Sequence, residues 1–230
     1  MTKIILFGYS KTGREIAKLL NNDDYDLQII DENPLNVAKA NEDGFFAIHS
    51  SFSEDRMLQE VGIGSNIDVL FCTSTNDSLN LFVTLSARNL DKYLKILTLI
   101  YKKNDEKKMI LAGANRTISP YDVGALKAYR IIDKPKVSKV LDLFSLQNNK
   151  LSINEIVIPK NSVLDGVYYK DISVFKNFDL IFLGMLDQEL GNEFIFFTEG
   201  INHKLDFNDI LIVLGSKLNI KKFKKYIGIL

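Results

Sequence analysis

Two glycines and one acid near the N-terminus have the spacing of a nucleotide-binding turn. Gly8 and Gly13 enclose the turn Gly8-Tyr-Ser-Lys-Thr-Gly13, and Asp31 follows eighteen residues after Gly13. Such a turn directs backbone N–H groups at a phosphate on a helix N-terminus, and the acid accepts hydrogen bonds from ribose hydroxyls. The match to G-x-G-x-x-G is partial because Ser10 replaces the middle glycine, which normally lets the backbone approach a pyrophosphate.

The elements that would position these residues form a βαβ unit. Residues 3–7 are an apolar run of strand length, residues 14–21 carry apolar side chains at helical spacing, and residues 27–30 form a second β run that ends at Asp31. The layout predicts a phosphate on the helix N-terminus. A βαβ unit that binds nothing, with Gly8 and Gly13 kept for turn and packing reasons, is the alternative.

Beyond Asp31, short apolar runs alternate with helical segments. The predicted strands cover 45–48, 67–72, 94–100 and 117–118, and the predicted helices cover 34–41, 54–61, 76–89 and 105–112, with a further helix from 119. Strands that are apolar on both faces predict a doubly wound parallel sheet covered by helices, with its ligand crevice at the carboxyl ends of the strands. Gly8, Asp31, residues 49–51 and residues 73–77 all fall at such ends.

The pattern changes near residue 135. An amphipathic helix begins there, with Val137, Val140, Leu141 and Phe144 along one stripe, and a polar linker follows at 147–150. The remainder is β-rich, with predicted strands at 153–158, 180–186, 193–197 and 210–214 and helices at 171–175 and 218–227. We therefore predict a first domain at 1–134, a helix and linker at 135–150, and a small α+β domain at 151–230.

The composition excludes several classes of protein. The chain has 230 residues, is 46% hydrophobic and carries 29 basic and 29 acidic residues, so its net charge of zero argues against nucleic-acid binding. One cysteine and two histidines exclude an internal disulfide and argue against a structural zinc site, so we expect no metal. The chain contains no apolar run of about 18 residues and no signal peptide, so we expect it neither to span a membrane nor to be secreted.

Three stretches carry a resemblance to one family. Residues 72–80 with 86–88 are similar to a T-x-x-D-x-x-N … A-R strand and helix, and residues 112–120 are similar to a GA-x-x-V-I-x-P segment. Residues 207–215 resemble a closing x-G-D-x-L-x-V-x-G segment with Asn208 in place of the glycine, and 156–162 with Gly166 resemble the opening of the same domain. The chain thus resembles the regulator of K⁺ conductance (RCK or KTN) family, in which a TrkA-N domain precedes a TrkA-C domain.

The resemblance implies an α/β chain, with a Rossmann-like doubly wound sheet followed by a small TrkA-C-like domain. It also implies a cytoplasmic gating module, not an enzyme, held at the inner face of the membrane by a K⁺ channel or K⁺ transporter subunit. Family members form homodimers that assemble into a ring, commonly an octamer of domains. The resemblance suggests that the helix at 135–150 is a crossover helix that swaps between subunits, and the alternative is that its apolar stripe caps the first domain. A nucleotide, ATP, ADP or NAD(H), would bind two ring conformations unequally and so shift gating.

The resemblance also implies the site residues. The phosphates would face the turn from Gly8 to Gly13, the ribose would bind Asp31 beside Glu32, and Thr73, Ser74 and Asp77 would close the pocket. The candidate nucleotide-binding residues are Gly8, Tyr9, Ser10, Lys11, Thr12, Gly13, Asp31, Glu32, Ser51, Phe52, Thr73, Ser74 and Asp77. Three positions depart from the family pattern and leave the nucleotide open: Ser10, Ser51 where many members have an Asp, and Leu99 where a basic residue is common.

Two other classes of function remain as alternatives. A nicotinamide-dependent oxidoreductase needs an acid or base near the nicotinamide. The chain has no Tyr-x-x-x-Lys pair, and neither His49 nor His203 lies in a recognisable catalytic motif. A scaffold that oligomerises without a ligand would show no thermal shift with any nucleotide.

Two charged groups also have alternative interpretations. Asp77 with Glu54 and Asp55 would suit a divalent cation, although such acids are common at helix N-termini. The lysines of the final helix are typical of a face exposed to solvent. The alternative hypothesis is that these lysines lie close to an anionic membrane surface. Met1 directly before a first strand favours a separate subunit or an internal start. A free-standing subunit and the cytoplasmic part of a channel therefore both stay open, as does the identity of the partner.

Overall fold

The computed structural model describes residues 1–51, 55–145, 151–169, 177–189, 191, 193–197 and 203–229. The chain divides into two compact units, Met1–Tyr129 and Arg130–Leu230. Phe52, Glu54, the linker predicted at 147–150 and the helix predicted at 171–175 lie outside the described residues, as does the side chain of Phe144. The domain limits predicted from the sequence stay predictions.

The first unit contains a six-stranded parallel sheet in the order β3-β2-β1-β4-β5-β6. Its strands are β1 (Thr2–Phe7), β2 (Tyr25–Asp31), β3 (Phe46–His49), β4 (Val69–Cys72), β5 (Lys95–Leu99) and β6 (Arg116–Ile118). Its helices are α1 (Lys11–Leu20), α2 (Pro34–Glu42), α3 (Asp55–Glu60), α4 (Asp77–Leu90), α5 (Glu106–Leu111) and α6 (Pro120–Asp133). A 3-10 turn at Lys103–Asp105 directly precedes α5. Helix α6 runs across the division between the two units. The predicted Rossmann-like fold is confirmed.

The apolar strands are buried from both sides. Phe7 of β1 packs in one cluster with Val83 of α4, whereas Leu6 packs in another with Ala17 of α1. Alternate side chains of a strand point to opposite faces, so a strand apolar at every position needs helices on both faces. The strand order reverses between β1 and β4, which places the crevice of this sheet at their carboxyl ends.

The second unit is built on an antiparallel sheet in the order β7-β10-β8-β9. Its elements are α7 (Pro135–Ser145), β7 (Ser152–Val157), β8 (Ile181–Asp187), β9 (Glu193–Phe196), β10 (Ile210–Gly215) and α8 (Lys217–Tyr226). Phe223 of α8 is fully buried in a cluster with Ile156 and Leu211. This confirms the predicted α+β fold, and none of the helices described in either unit is long and apolar enough to cross a membrane.

Candidate functional site

A cleft of about 410 Å³ opens at the carboxyl ends of β1, β2 and β4. Of the candidate residues, Gly8, Ser10, Asp31, Glu32 and Ser74 line it. The remaining lining residues are Phe7, Asn33, Asn36, Thr75, Asn76 and Leu79. The loops that follow three separate strands therefore meet at one site.

Both glycines of the turn are required by close packing. Gly8 has a φ of +92°, and a Cβ there would lie 2.7 Å from the Cα of Ser74. A Cβ on Gly13 would lie 2.6 Å from the Oγ1 of Thr73. No other residue fits either position, because a side chain would push α1 and its preceding loop away from the end of β4.

Ser10 holds the turn closed from within. Its Oγ donates to the carbonyl of Thr73 at 2.6 Å and accepts from the N–H of Gly13 at 3.2 Å, so Ser10 is the N-cap of α1. Thr73 is buried, and its own hydroxyl donates to the carbonyl of Gly8. The residue that replaces the middle glycine therefore acts as a helix cap and as a tie between the turn and β4.

Asp31 forms the floor of the cleft next to the turn. Its carboxylate accepts from the N–H of Tyr9 at 2.6 Å, the N–H of Asn33 at 2.7 Å and the Nδ2 of Asn36 at 3.0 Å. The residue is only 6% exposed. A carboxylate has about four acceptor positions, so three protein donors leave room for one more hydrogen bond. Asp31 thus positions the turn and retains one acceptor position for a further hydrogen bond.

The side chain of Tyr9 points away from the cleft. It is buried edge-on against Phe45, and its hydroxyl donates to Asp43 at 2.7 Å. Arg14 of α1 donates to both oxygens of Asp43, from Nε at 2.6 Å and from Nη2 at 2.7 Å. These hydrogen bonds from Arg14 and Tyr9 lower the pKa of the Asp43 carboxyl to about 2, and burial raises the pKa of the Tyr9 hydroxyl. Tyr9 and Arg14 join the turn and α1 to the end of α2.

Asn80 orders the loop after β4. It is fully buried, its Oδ1 accepts from the N–H of Ser74 at 3.1 Å, and its Nδ2 donates to the carbonyl of Ser74 at 2.8 Å. The same Nδ2 reaches the carbonyl of Leu99 at 3.2 Å, and the Leu99 side chain is buried. Asn80 therefore fixes the wall of the cleft that Ser74 provides.

The other candidate residues lie around the cleft or apart from it. Lys11 is exposed at the first position of α1, with Thr12 next to it, and Ser51 is exposed just after β3. Asp77 accepts from the N–H groups of Tyr101 and Lys102 at distances of 3.0 to 3.1 Å, next to the cleft rather than in its lining. The roles of these residues in binding stay predictions.

Sequence reasoning did not single out the asparagines of the site as binding residues. Asn33 and Asn76 line the cleft and are the N-caps of α2 and α4, and Asn36 bonds to Asp31. The signal was present in part, because an Asn directly before a helix marks both the cap and the carboxyl edge of the preceding strand. Among the residues described, no three His, Cys, Asp or Glu side chains converge to hold a metal.

The titratable side chains in the lining are Asp31 and Glu32. The Nε2 of His49 lies 2.8 Å from the Glu32 carbonyl, and His203 pairs with Asp187 in the second unit. The described lining of the cleft thus offers acceptors for hydroxyl groups, and the first N–H groups of α1 follow directly after Ser10 of that lining. This arrangement is suited to binding.

Comparison with known proteins identifies a matching family model and a similar potassium channel protein. Residues 4–120 match the family model of the TrkA-N domain. The chain is 25% identical over 225 residues to potassium channel protein 1 of Methanocaldococcus jannaschii, a match that covers 97% of this chain and 66% of that protein. The chain thus spans about two thirds of the length of this relative.

Two solved structures share the fold. The GsuK channel bound to NAD matches 99% of this chain and 38% of its own, with a TM-score of 0.53 and 16% identity. The human SLO3 gating ring matches 96% of this chain and 46% of its own, with a TM-score of 0.72 and 13% identity.

Proposed function

The chain belongs to the TrkA-N domain family, and we propose that it is a nucleotide-sensing regulator of a potassium channel or transporter. The observation that carries the proposal is the cleft at the strand-order reversal, where Gly8, Asp31 and the first turn of α1 meet. The potassium channel relative supports the partner, and NAD in the GsuK channel supports the class of ligand. The ligand is ATP, ADP or NAD(H).

In this proposal the nucleotide lies across the carboxyl ends of β1 and β2. The first N–H groups of a helix have no carbonyl partner within it, so the backbone of Lys11 and Thr12 at the start of α1 would face the phosphates. Asp31 has acceptor capacity left for the ribose, and Glu32 lies beside it on the cleft. Ser74 would close the pocket from β4, and Thr73 would act through the turn that it holds.

The proposed response is a change of conformation rather than a covalent reaction. Any ligand that binds one arrangement of the turn, α1 and α2 more tightly than another shifts the balance between them by its difference in affinity. The Tyr9–Asp43–Arg14 contacts connect the cleft to both helices. The channel or transporter would respond to that shift by a change in gating. Bound to this partner, the chain would act in the cytoplasm at the inner face of the membrane.

We further propose that the chain acts as a homodimer within a higher ring. Helix α6 exposes Tyr129 by 61% and Ile132 by 84%, and α7 exposes Val137 by 52%. Apolar faces of this kind mark surfaces that another protein covers. The shared fold with the SLO3 gating ring supports assembly, and an octamer of domains is the expected size.

The experiment that tests the function is a thermal-shift screen of ATP, ADP, AMP, NAD⁺ and NADH, together with the light-scattering mass. A ligand at 100 times its dissociation constant adds about 2.7 kcal/mol of stability, which is readily measured. Asn36→Trp should block the cleft and abolish the shift, whereas Asn41→Trp, exposed on the same helix, should retain it. The absence of a shift with every nucleotide would contradict nucleotide sensing and favour a ligand-free scaffold.

A further inference from the structure

Helix α8 carries a concentrated positive charge. It is ten residues long and contains no acid. Its five lysines are Lys217, Lys221, Lys222, Lys224 and Lys225. All of them except Lys224 are exposed, and none takes part in the ion pairs formed within the described residues. The chain as a whole is neutral, so this charge is local.

Helix electrostatics account for only part of this arrangement. Lys224 and Lys225 lie in the last turn, where a positive charge interacts favourably with the helix dipole. Lys217 lies in the first turn, where the dipole disfavours it. Lys217 and Lys221 are also four residues apart, as are Lys221 and Lys225, and like charges at this spacing repel each other. An anionic surface facing α8 would relieve both effects.

A large apolar side chain stands among the lysines on the exposed face. Leu218 is 63% exposed, and the 3.6-residue period of a helix places it on the side of α8 opposite the buried Ile220 and Phe223. Ile229, which follows Gly228 beyond the end of α8, instead lines a separate cavity together with Ile156 and Ile158. Lysines interleaved with a few large apolar residues are typical of helices that lie on a membrane surface.

We propose that α8 binds directly to the anionic headgroups of a lipid bilayer. The lysines would bind headgroup phosphates, and Leu218 would enter the boundary between headgroups and acyl chains. A nucleic acid fits less well, because the exposed Leu218 would gain nothing from a phosphate backbone and the chain has no net positive charge. This contact is additional to attachment through a channel or transporter and does not depend on nucleotide binding.

The test is sedimentation of the full chain with vesicles of phosphatidylcholine alone and with 30% phosphatidylglycerol, at low and high salt. Binding is expected only to the anionic vesicles and should weaken with salt. Each lysine near such a surface contributes about a fivefold factor, so Lys221→Gln/Lys222→Gln/Lys225→Gln should lower the partition coefficient by about 100-fold. The matched control, Lys92→Gln/Lys95→Gln/Lys107→Gln, removes three exposed lysines of the first unit and should change it little.

A second variant separates lipid from other polyanions. Leu218→Ser keeps every charge and should lower vesicle binding several-fold, but it should not change binding to soluble polyphosphate. Vesicle binding that is equal in the α8 triple variant and the control triple variant would overturn the proposal. The proposal would also be overturned if Leu218→Ser left vesicle binding unchanged while polyphosphate competed fully, because α8 would then be a general polyanion site. Circular dichroism of each variant checks that the second unit remains folded.

Discussion

The hydroxyl of Ser10 donates a 2.6 Å hydrogen bond to the carbonyl of Thr73, which joins the first turn of α1 to the end of β4. The same hydroxyl caps α1 through the N–H of Gly13. The turn that would receive a phosphate is therefore fixed by a side chain at the position where the nucleotide motif usually has glycine. A glycine at this position would let a pyrophosphate approach the backbone closely, whereas Ser10 makes the turn rigid.

Ser10→Ala should destabilise the first unit by about 1–2 kcal/mol, because it removes the cap of α1 and leaves the carbonyl of Thr73 without this donor. Chemical denaturation measures the change. Ser78→Ala, exposed in the first turn of α4, is the control and should stay within about 0.5 kcal/mol of the wild type. Equal stability of the two variants would show that the Ser10 contacts contribute nothing.

Asp31→Ala should lower both nucleotide affinity and stability. The affinity should fall by about 1–3 kcal/mol, and a stability loss of similar size should follow from the unpaired N–H groups of Tyr9 and Asn33. Calorimetric titration and denaturation measure the two effects separately. Unchanged affinity in a folded Asp31→Ala variant would contradict the proposed contact between Asp31 and the ribose. Glu32→Gln is the control for stability and should leave it unaltered.

The stability of the first unit should fall as the pH drops from about 4 to about 2. Arg14 and Tyr9 lower the pKa of Asp43 from 3.8 to about 2, so the folded chain holds this carboxylate ionised where the unfolded chain binds a proton. The stabilisation is complete above the unfolded pKa and is lost as the pH falls through the folded pKa. Asp43→Asn should show a smaller loss across this window, measured by thermal melts at each pH. An identical pH slope in the variant would assign the loss to other groups.

Arg88→Lys should cost about 2–3 kcal/mol of stability, because one guanidinium bonds several backbone carbonyls that an ammonium cannot reach together. Arg88 donates to the carbonyls of Asp91, Lys92, Leu94 and Gly113, and to the side chain of Asn115. Arg56→Lys is the control, since Arg56 is exposed and pairs only with Glu60 among the described contacts. A loss no larger than in the control would show that these hydrogen bonds are replaced by water.

Ile132→Asp should shift the light-scattering mass toward the monomer. Ile132 is the most exposed large apolar side chain of α6, at 84%, and a charge there would disrupt a covered apolar face. Lys127→Asp on the same helix tests whether charge alone has this effect. A wild-type mass for Ile132→Asp at concentrations where the wild type is oligomeric would place the interface elsewhere.

Much of the fold could be predicted from local pattern. The alternation of apolar strands and amphipathic helices specified a parallel sheet, and β1, β2 and β4 have the predicted positions to within about two residues. The change to a β-rich segment after residue 150 was likewise predicted, but the antiparallel pairing was not. The sequence of β10 is apolar at nearly every position, although its side chains alternate between half-buried and buried. The site was predictable as a region, since the carboxyl ends of parallel strands meet at one edge.

The amino-acid sequence by itself thus determined the two folds, the edge of the sheet that carries the cleft, and Gly8 and Asp31 as parts of it. Only the tertiary structure decided what each side chain does there. In the tertiary structure, Ser10 donates to Thr73 and Tyr9 donates to Asp43. Asp77 accepts from the loop after β5, and Asn36 donates to Asp31. The physical reason is that periodicity fixes which face of an element is buried, whereas a polar partner depends on contacts between residues far apart in the chain. Those contacts form only when separate loops converge.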